Sequence, residues 1–336
     1  MNGRAAREGP EPPFFVVGND RSGTTLLRVV LDRSEEAAVP PESMFLVDYA
    51  PVRRRGGLDD PARAARFVEE VWRHPRVRHW NLSGGPPPLP AGLSHAEAYR
   101  FAVSAPFLAY ARAAGKERFG DKTPAYLHAL DELFAVWPEA RVVVLVRDAR
   151  DVALSIRRVP FGPNNAFAAA RWWAAGIRAG LEAERRHAGK VLTVRYEDFV
   201  SAPETHVRRV CEHVGLGYNS EMLEVERSGP GTIVAGQASW FAGVSGPISS
   251  AEVGRWRTSL SPEDRRVVAA VAGDELRALG YEVAEAGAPV GRPRAAAYAG
   301  HDLALRTVNA FRLRVLQERG RELPYVLRRK LSGARG

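Results

Sequence analysis

Residues Phe14 to Ser34 read FFVVGNDRSGTTLLRVVLDRS, and the order of residue types in this stretch decides the fold. Phe14, Phe15, Val16 and Val17 form an apolar run too short for a helix and closed by Gly18, which predicts a buried strand. A turn of small and polar residues follows. Leu26, Leu27, Val30 and Leu31 then recur at helical spacing. Strand, tight loop and helix in this order make a cradle for an anion. Gly18 and Gly23 ease the sharp turn, and the N–H groups of Ser22, Gly23, Thr24 and Thr25 are expected at a helix N-terminus, where unpaired donors and the macrodipole favour negative charge.

The loop has the G-x-x-x-x-G spacing of a P-loop, but Thr24 stands where the phosphate-binding Lys belongs, and Thr25 takes the Ser/Thr position. The cation inside the loop is Arg21, two residues before the second glycine. Without the Lys that holds the β- and γ-phosphates, ATP hydrolysis is not expected. A P-loop kinase or ATPase, which would require Thr24 to stand in for that Lys, is one alternative reading. A non-catalytic protein that binds through a basic tail is the other.

Outward from this stretch, strands and helices alternate. Arg141 to Val146 (RVVVLV) is apolar enough to predict a strand covered on both faces, and Val191 to Tyr196 (VLTVRY) predicts a third. Lys116 to Lys122 reads as a short connection or strand, and Ala37 to Glu42 as an extended piece because Pro40 and Pro41 exclude helix. Helices are expected around Pro61 to Trp72, from the Ser94/Glu97 capping box to Gly115, from Thr123–Pro124 to Pro138, from Arg147 to about Arg158, and through Trp172 and Trp173 to His187. Two more are expected, one stopped by Gly215 and one by Gly280. The pattern is α/β: three layers, with a central, mostly parallel sheet flanked by helices, of P-loop nucleotide-binding type. Residues 1–13 are read as a disordered N-terminus, 14–285 as the catalytic domain and 286–336 as a basic, helical tail.

Of the +9 net charge, most lies in residues 291–336, where eleven Arg/Lys face three acidic residues. The rest of the chain is close to neutral, so the basic balance describes a tail and does not point to a nucleic-acid-binding surface. No apolar run approaches the roughly 20 residues a membrane-spanning helix needs. The N-terminal MNGRAAREGPEPP lacks the apolar stretch of a signal peptide, and Cys211 is the only cysteine, so a cytoplasmic protein is expected.

At RSGTTL, the chain resembles the sulfotransferases that use 3′-phosphoadenosine-5′-phosphosulfate (PAPS), and the loop is most similar to that of the protein-tyrosine branch. The second motif, VVVLVRDARDVALS, strengthens the resemblance. It implies that Arg147 at a strand end and Ser155 eight residues later hold the 3′-phosphate. An Arg fork suits a phosphate, and a Ser hydroxyl adds a neutral donor. The resemblance further implies that Arg21, Ser22, Gly23, Thr24 and Thr25 hold the 5′-phosphosulfate. By the same token Lys122 in FGDKTP is catalytic, Tyr196 in VRYEDF contacts the nucleotide, and Ser245 and Arg255 lie in a closing loop.

Sulfuryl transfer requires a base, cations for the sulfonate and leaving phosphate, and in-line geometry, without a metal. Glu42 lies 21 residues after Arg21, the spacing of the catalytic Arg and Glu in the tyrosine sulfotransferases. Glu42 is therefore the expected base, with Arg21 and Lys122 as the catalytic cations. Its neighbours Met44 and Phe45 predict a raised pKa. His74, His79, His95 and His128 are the alternative bases. The acceptor is expected to be a hydroxyl on a small metabolite, glycan, lipid or peptide, and the tail offers peripheral membrane contact.

Overall fold

The computed structural model describes residues 11–159, 161–227, 246–284 and 288–318. Five parallel strands form one sheet in the order β2-β3-β1-β4-β5: β1 Phe14–Val17, β2 Ala37–Ala38, β3 Arg118–Lys122, β4 Arg141–Val146 and β5 Val191–Arg195. β1 lies at the centre, pairing Val16 with Lys122 of β3 on one side and with Val143 of β4 on the other. Chain order reverses across β1, so the C-terminal ends of β3, β1, β4 and β5 open onto one crevice, the place where such sheets bind ligands.

Period-two alternation divides the strand side chains between two cores. Phe15, Val17, Val142, Val144 and Val146 pack beneath the helices Pro61–Trp72, His95–Ala113, Ala166–Arg186 and Pro262–Ala278. Phe14, Val16, Val143 and Leu145 face the helices Thr24–Asp32 and Pro203–Val214 on the other side. All four residues of β1 are fully buried. A strand buried on both faces has no polar register to lose, which is why FFVV reads as a continuous apolar run.

Three expectations about helices need correction. The segment after Thr123 is not one helix. A 3₁₀ turn, Pro124–His128, is followed at Ala129 (φ −135°) by a separate helix, Leu130–Val136. The tight turn lets Tyr126 and Leu127 both point inward, and both are buried. The helix after β4 is Ala149–Ile156, starting two residues later and ending two residues earlier than expected. Tyr196, expected at the end of the third strand, instead opens the helix Tyr196–Ser201. The tail carries the helix Arg292–Glu318. It is seated on the body: Tyr298 stacks on Phe167 at 5.5 Å, and the Asn164 N–H donates to Asp302 Oδ1 at 2.6 Å.

Candidate active site

The phosphate loop runs from Gly18 to Gly23 between β1 and the helix Thr24–Asp32. A Cβ on Gly18 would lie 2.3 Å from the Leu145 carbonyl oxygen, and one on Gly23 (φ +92°) would lie 2.4 Å from the Tyr196 ring. Both glycines are therefore dictated by close approach. Arg21 adopts a left-handed φ of 71°, a strained backbone for a residue with a side chain. The Ser22 N–H donates to the Asn19 carbonyl at 3.2 Å, so the expectation that it faces the ligand is corrected. The donors left are those of the first helical turn, beginning at Thr24, which no side chain caps.

Arg147 leaves the end of β4 and is held on four sides. One Nη donates to the Arg21 carbonyl at 3.2 Å and the other to the Glu252 carbonyl at 2.6 Å. Its guanidinium lies 4.6 Å from the centre of the Tyr196 ring, and its own carbonyl accepts from Trp173 Nε1 at 2.8 Å. Trp173 is fully buried, so a core tryptophan also fixes the start of this arginine. Arg21 Nε donates to Ser155 Oγ at 3.0 Å, which joins the two motifs seen in the sequence. Burial, and then the like charge of Arg147, lower the Arg21 pKa. Two guanidiniums held this close are relieved by an anion between them.

The Val253–Trp256 turn closes one wall. Asp151 accepts from the Gly254 and Trp256 N–H groups at 2.7 and 2.9 Å, and Arg255 pairs with Glu252. Arg255 therefore sits one turn from the carbonyl that Arg147 holds. Ser245 lies outside the described residues.

Across the crevice, Glu42 and Lys122 form the site's central ion pair. Lys122 Nζ lies 2.6 Å from Glu42 Oε1 and donates to Thr25 Oγ1 at 3.2 Å. Arg76, from the short helix Pro75–Arg78, reaches Glu42 Oε2 at 3.4 Å. Burial opposes ionisation of Glu42, but Lys122, Arg76 and Arg28 outweigh it and hold the carboxyl below its ordinary range. This overturns the raised pKa expected from Met44 and Phe45. Phe45 is buried in the core, while the groups that set the carboxylate's pKa are cations from distant elements.

A buried hydroxyl network fixes the backbone that carries Glu42. Ser43 Oγ donates to Asp121 Oδ2 at 2.9 Å, and the Ser43 N–H donates to Thr123 Oγ1 at 3.2 Å. Tyr126 Oη meets Ser43 Oγ at 2.8 Å and accepts from the Leu46 N–H at 3.1 Å. With its acceptor side used by Leu46, the tyrosine donates to Ser43. Burial pushes Asp121 up to about 7, against the Ser43 and Thr123 hydrogen bonds that pull it down. On the other side, Arg28 donates to the Val39 carbonyl at 2.9 Å, and the Val39 N–H to Asp32 at 2.8 Å. Glu42 thus projects from a segment pinned at both ends.

Sequence reasoning missed Arg28, Arg76, Ser43 and Tyr126, and three further residues with them. Asp20, beside Arg21, is pushed up to about 6 by burial and by Glu42, with Lys122, Arg21 and Arg76 opposing. Arg158 is exposed and close enough to Arg21 to lower its pKa. Asp121 precedes Lys122 directly, and its role shows only when Ser43, far away in sequence, is brought beside it. Two of the alternative histidines have both ring nitrogens engaged: His74 with Asp48 and the Arg76 N–H, and His95 with the Leu58 N–H and the Arg53 carbonyl. His79 bonds the Pro75 carbonyl, and burial lowers the His128 pKa.

The residues fit a nucleotide with two anionic ends. Ser22 Oγ and Arg147 Nε are buried without hydrogen-bond partners, one in the loop and one over the Tyr196 ring. Unsatisfied buried polar atoms beside an uncapped helix N-terminus and paired guanidiniums call for an anionic ligand.

Comparison with known proteins agrees with this chemistry. The profile of the sulfotransferase family matches residues 12–220, well over half of the chain. The nodulation protein NoeE of Sinorhizobium fredii is 28% identical over 306 residues, covering 80% of this chain and 65% of NoeE. The chain thus spans just under two thirds of that relative. A putative protein-tyrosine sulfotransferase of Caenorhabditis briggsae is 27% identical, over 63% of this chain and 69% of its own. In structure, the sulfotransferase domain of the Synechococcus PCC 7002 olefin synthase superposes with a TM-score of 0.56 at 22% identity, covering 84% of this chain and 99% of that domain, which supports the fold. With the phosphate loop, the Arg147 cluster and the profile match all in the same stretch of chain, the protein belongs to the PAPS-dependent sulfotransferase family.

Proposed function

We propose that this chain moves the sulfuryl group of PAPS to a hydroxyl of its acceptor by in-line displacement, with Glu42 as the base. When bound, PAPS supplies an activated sulfonate whose leaving group is a phosphate. The first-turn amides after Gly23, Thr24, Thr25 and Ser22 Oγ hold the 5′ end. Arg147 and Ser155 hold the 3′-phosphate, Tyr196 packs beside the nucleotide, and Ser245 and Arg255 add further nucleotide contacts.

The observation that carries the reading is the position of Lys122. Its ammonium touches Thr25 of the phosphate loop and Glu42 at once, so one cation spans the binding end and the proton-accepting end of the crevice. Lys122 and Arg21 provide positive charge where the sulfonate and the leaving oxygen carry negative charge, and Glu42 takes the acceptor proton. Glu42 is ionised at neutral pH and is only a quarter exposed, which supports its acting on a hydroxyl that enters from the mouth. The acceptor classes open to such a site are small metabolites, glycans, lipids and peptides. Cys211 is buried and unpaired, which supports work in a reducing cytoplasm.

The test is transfer of label from PAPS to a panel of alcohols and phenols, with labelled ATP as the control. Label on a hydroxyl from PAPS, and none from ATP, is expected. Phosphate transfer from ATP would replace this reading with the kinase one.

A further inference from the structure

We propose that the helix Arg292–Glu318 lies against anionic membrane and holds the enzyme at that surface. Five large hydrophobic residues stand exposed among the described residues, and four of them, Leu303, Leu305, Val308 and Phe311, are on this helix. Leu303 and Phe311 are 67% and 68% exposed. Helical spacing puts Leu303, Thr307 and Phe311 in one row, with Ala304 and Val308 beside it.

This apolar row is turned outward by the way the helix is docked. Tyr298 stacks on Phe167, Asp302 accepts from the Asn164 N–H, and Asn309 Nδ2 donates to Asn164 Oδ1 at 3.0 Å. Tyr298, Asp302 and Asn309 fall on the side of the helix opposite Leu303 and Phe311. Tyr298 and Ala295 thus pack on the core, while the row with Leu303 and Phe311 is left to solvent, where an ordinary surface helix carries polar residues.

Charge decides the occupant. Residues 291–336 carry eleven Arg/Lys against three acidic residues. Two copies of this segment face to face would bring like charges together, whereas an anionic bilayer complements the charge and buries the apolar row. No described helix is long and apolar enough to cross a membrane, so the contact is with the surface. The row is short, and binding therefore depends on charge as well as insertion.

The experiment is flotation of the full chain with vesicles of phosphatidylcholine, alone or with roughly a third phosphatidylglycerol. Binding is expected only with the anionic lipid and is lost at high salt. The Leu303→Glu/Phe311→Glu variant should lose roughly tenfold or more in binding. Because both side chains face solvent, its melting temperature and its transfer to a soluble acceptor should be unchanged. Equal flotation of wild type and variant, equal binding to neutral vesicles, or no vesicle binding would overturn the proposal. So would nucleic-acid binding without vesicle binding, or a wild-type dimer in sedimentation that the variant dissolves. The flotation, melting and sedimentation readouts do not depend on the sulfuryl-transfer reading.

Discussion

Lys122 Nζ sits 2.6 Å from Glu42 Oε1 although the two residues are 80 positions apart, and this contact joins the strand beside β1 to the extended segment behind the phosphate loop. The pair keeps Glu42 ionised and keeps Lys122 within reach of Thr25. It also makes Glu42 a weaker base than an apolar pocket would. Catalytic force must then come from position and from the surrounding cations more than from basicity.

Glu42→Gln keeps the side-chain shape and removes the proton acceptor. Turnover with an alcohol should fall by about 10² to 10⁴, with product-nucleotide affinity kept, and a more acidic phenol should suffer less. Since Glu42 titrates below its ordinary value, its ionisation should leave the rate flat around neutral pH and appear only in acid. A limb near pH 6 would belong to Asp20; it should move to lower pH in Glu42→Gln, which removes a charge that raises the Asp20 pKa, and should vanish in Asp20→Asn. Near-normal turnover of Glu42→Gln would remove Glu42 from the mechanism.

Stability should depend on pH in the unusual direction. Asp20 and Asp121 have folded pKa values of about 6 and about 7, raised from 3.8, so the folded state binds more protons than the unfolded one across that window. Their contribution is fully present below the ordinary carboxylate value and is lost as pH rises through about 7. Melting temperature should therefore be higher at mildly acidic than at alkaline pH. Asp20→Asn should stabilise the protein at neutral pH by roughly 1 to 2 kcal/mol, allowing for solvent screening of a partly exposed group, and should narrow the difference. A melting temperature that rises steadily from acid to alkaline pH in both proteins would contradict this.

Gly23→Ala adds one methyl group at the point where the loop meets the Tyr196 ring. With only 2.4 Å of room and a positive φ, the substitution should cost on the order of 1 to 3 kcal/mol. It should also weaken nucleotide binding by more than the lost stability explains, because it shifts Tyr196 and the Arg147 guanidinium above it. Calorimetry of unfolding and of nucleotide binding reads both. Unchanged values for the two would show that the close contact is not maintained.

Most of the scaffold was legible because its strands are buried on both faces and its helices carry strong caps. FFVV and RVVVLV needed no tertiary information to read as core strands, and Ser94 caps its helix through the capping box read in the sequence. The approach of Arg21 and Arg147 could be anticipated because each follows the C-terminal end of a strand in one sheet, whereas Ser155 came from the family resemblance. What surrounds Glu42 could not. Its pKa is set by Lys122 on β3, Arg76 on a short helix and Arg28 on the first helix, which the fold gathers from separate segments. The local apolar neighbours suggested the opposite sign. Asp121 and Tyr126 were hidden for the same reason, since their partner Ser43 is supplied from the far side of a long insertion. The break at Ala129 went unseen because helical periodicity continues across it.

The central claim is that the crevice around Arg21 and Arg147 binds a nucleotide with phosphates at both ends. Calorimetric titration of the desulfated product, 3′,5′-adenosine bisphosphate, into wild type and Arg147→Ala tests it most directly. Wild type should bind, and loss of the guanidinium that lies over Tyr196 should weaken affinity by roughly 10-fold to 100-fold, as expected for a charge-assisted contact. The same affinity in both proteins, or no binding by the wild type, would contradict the account.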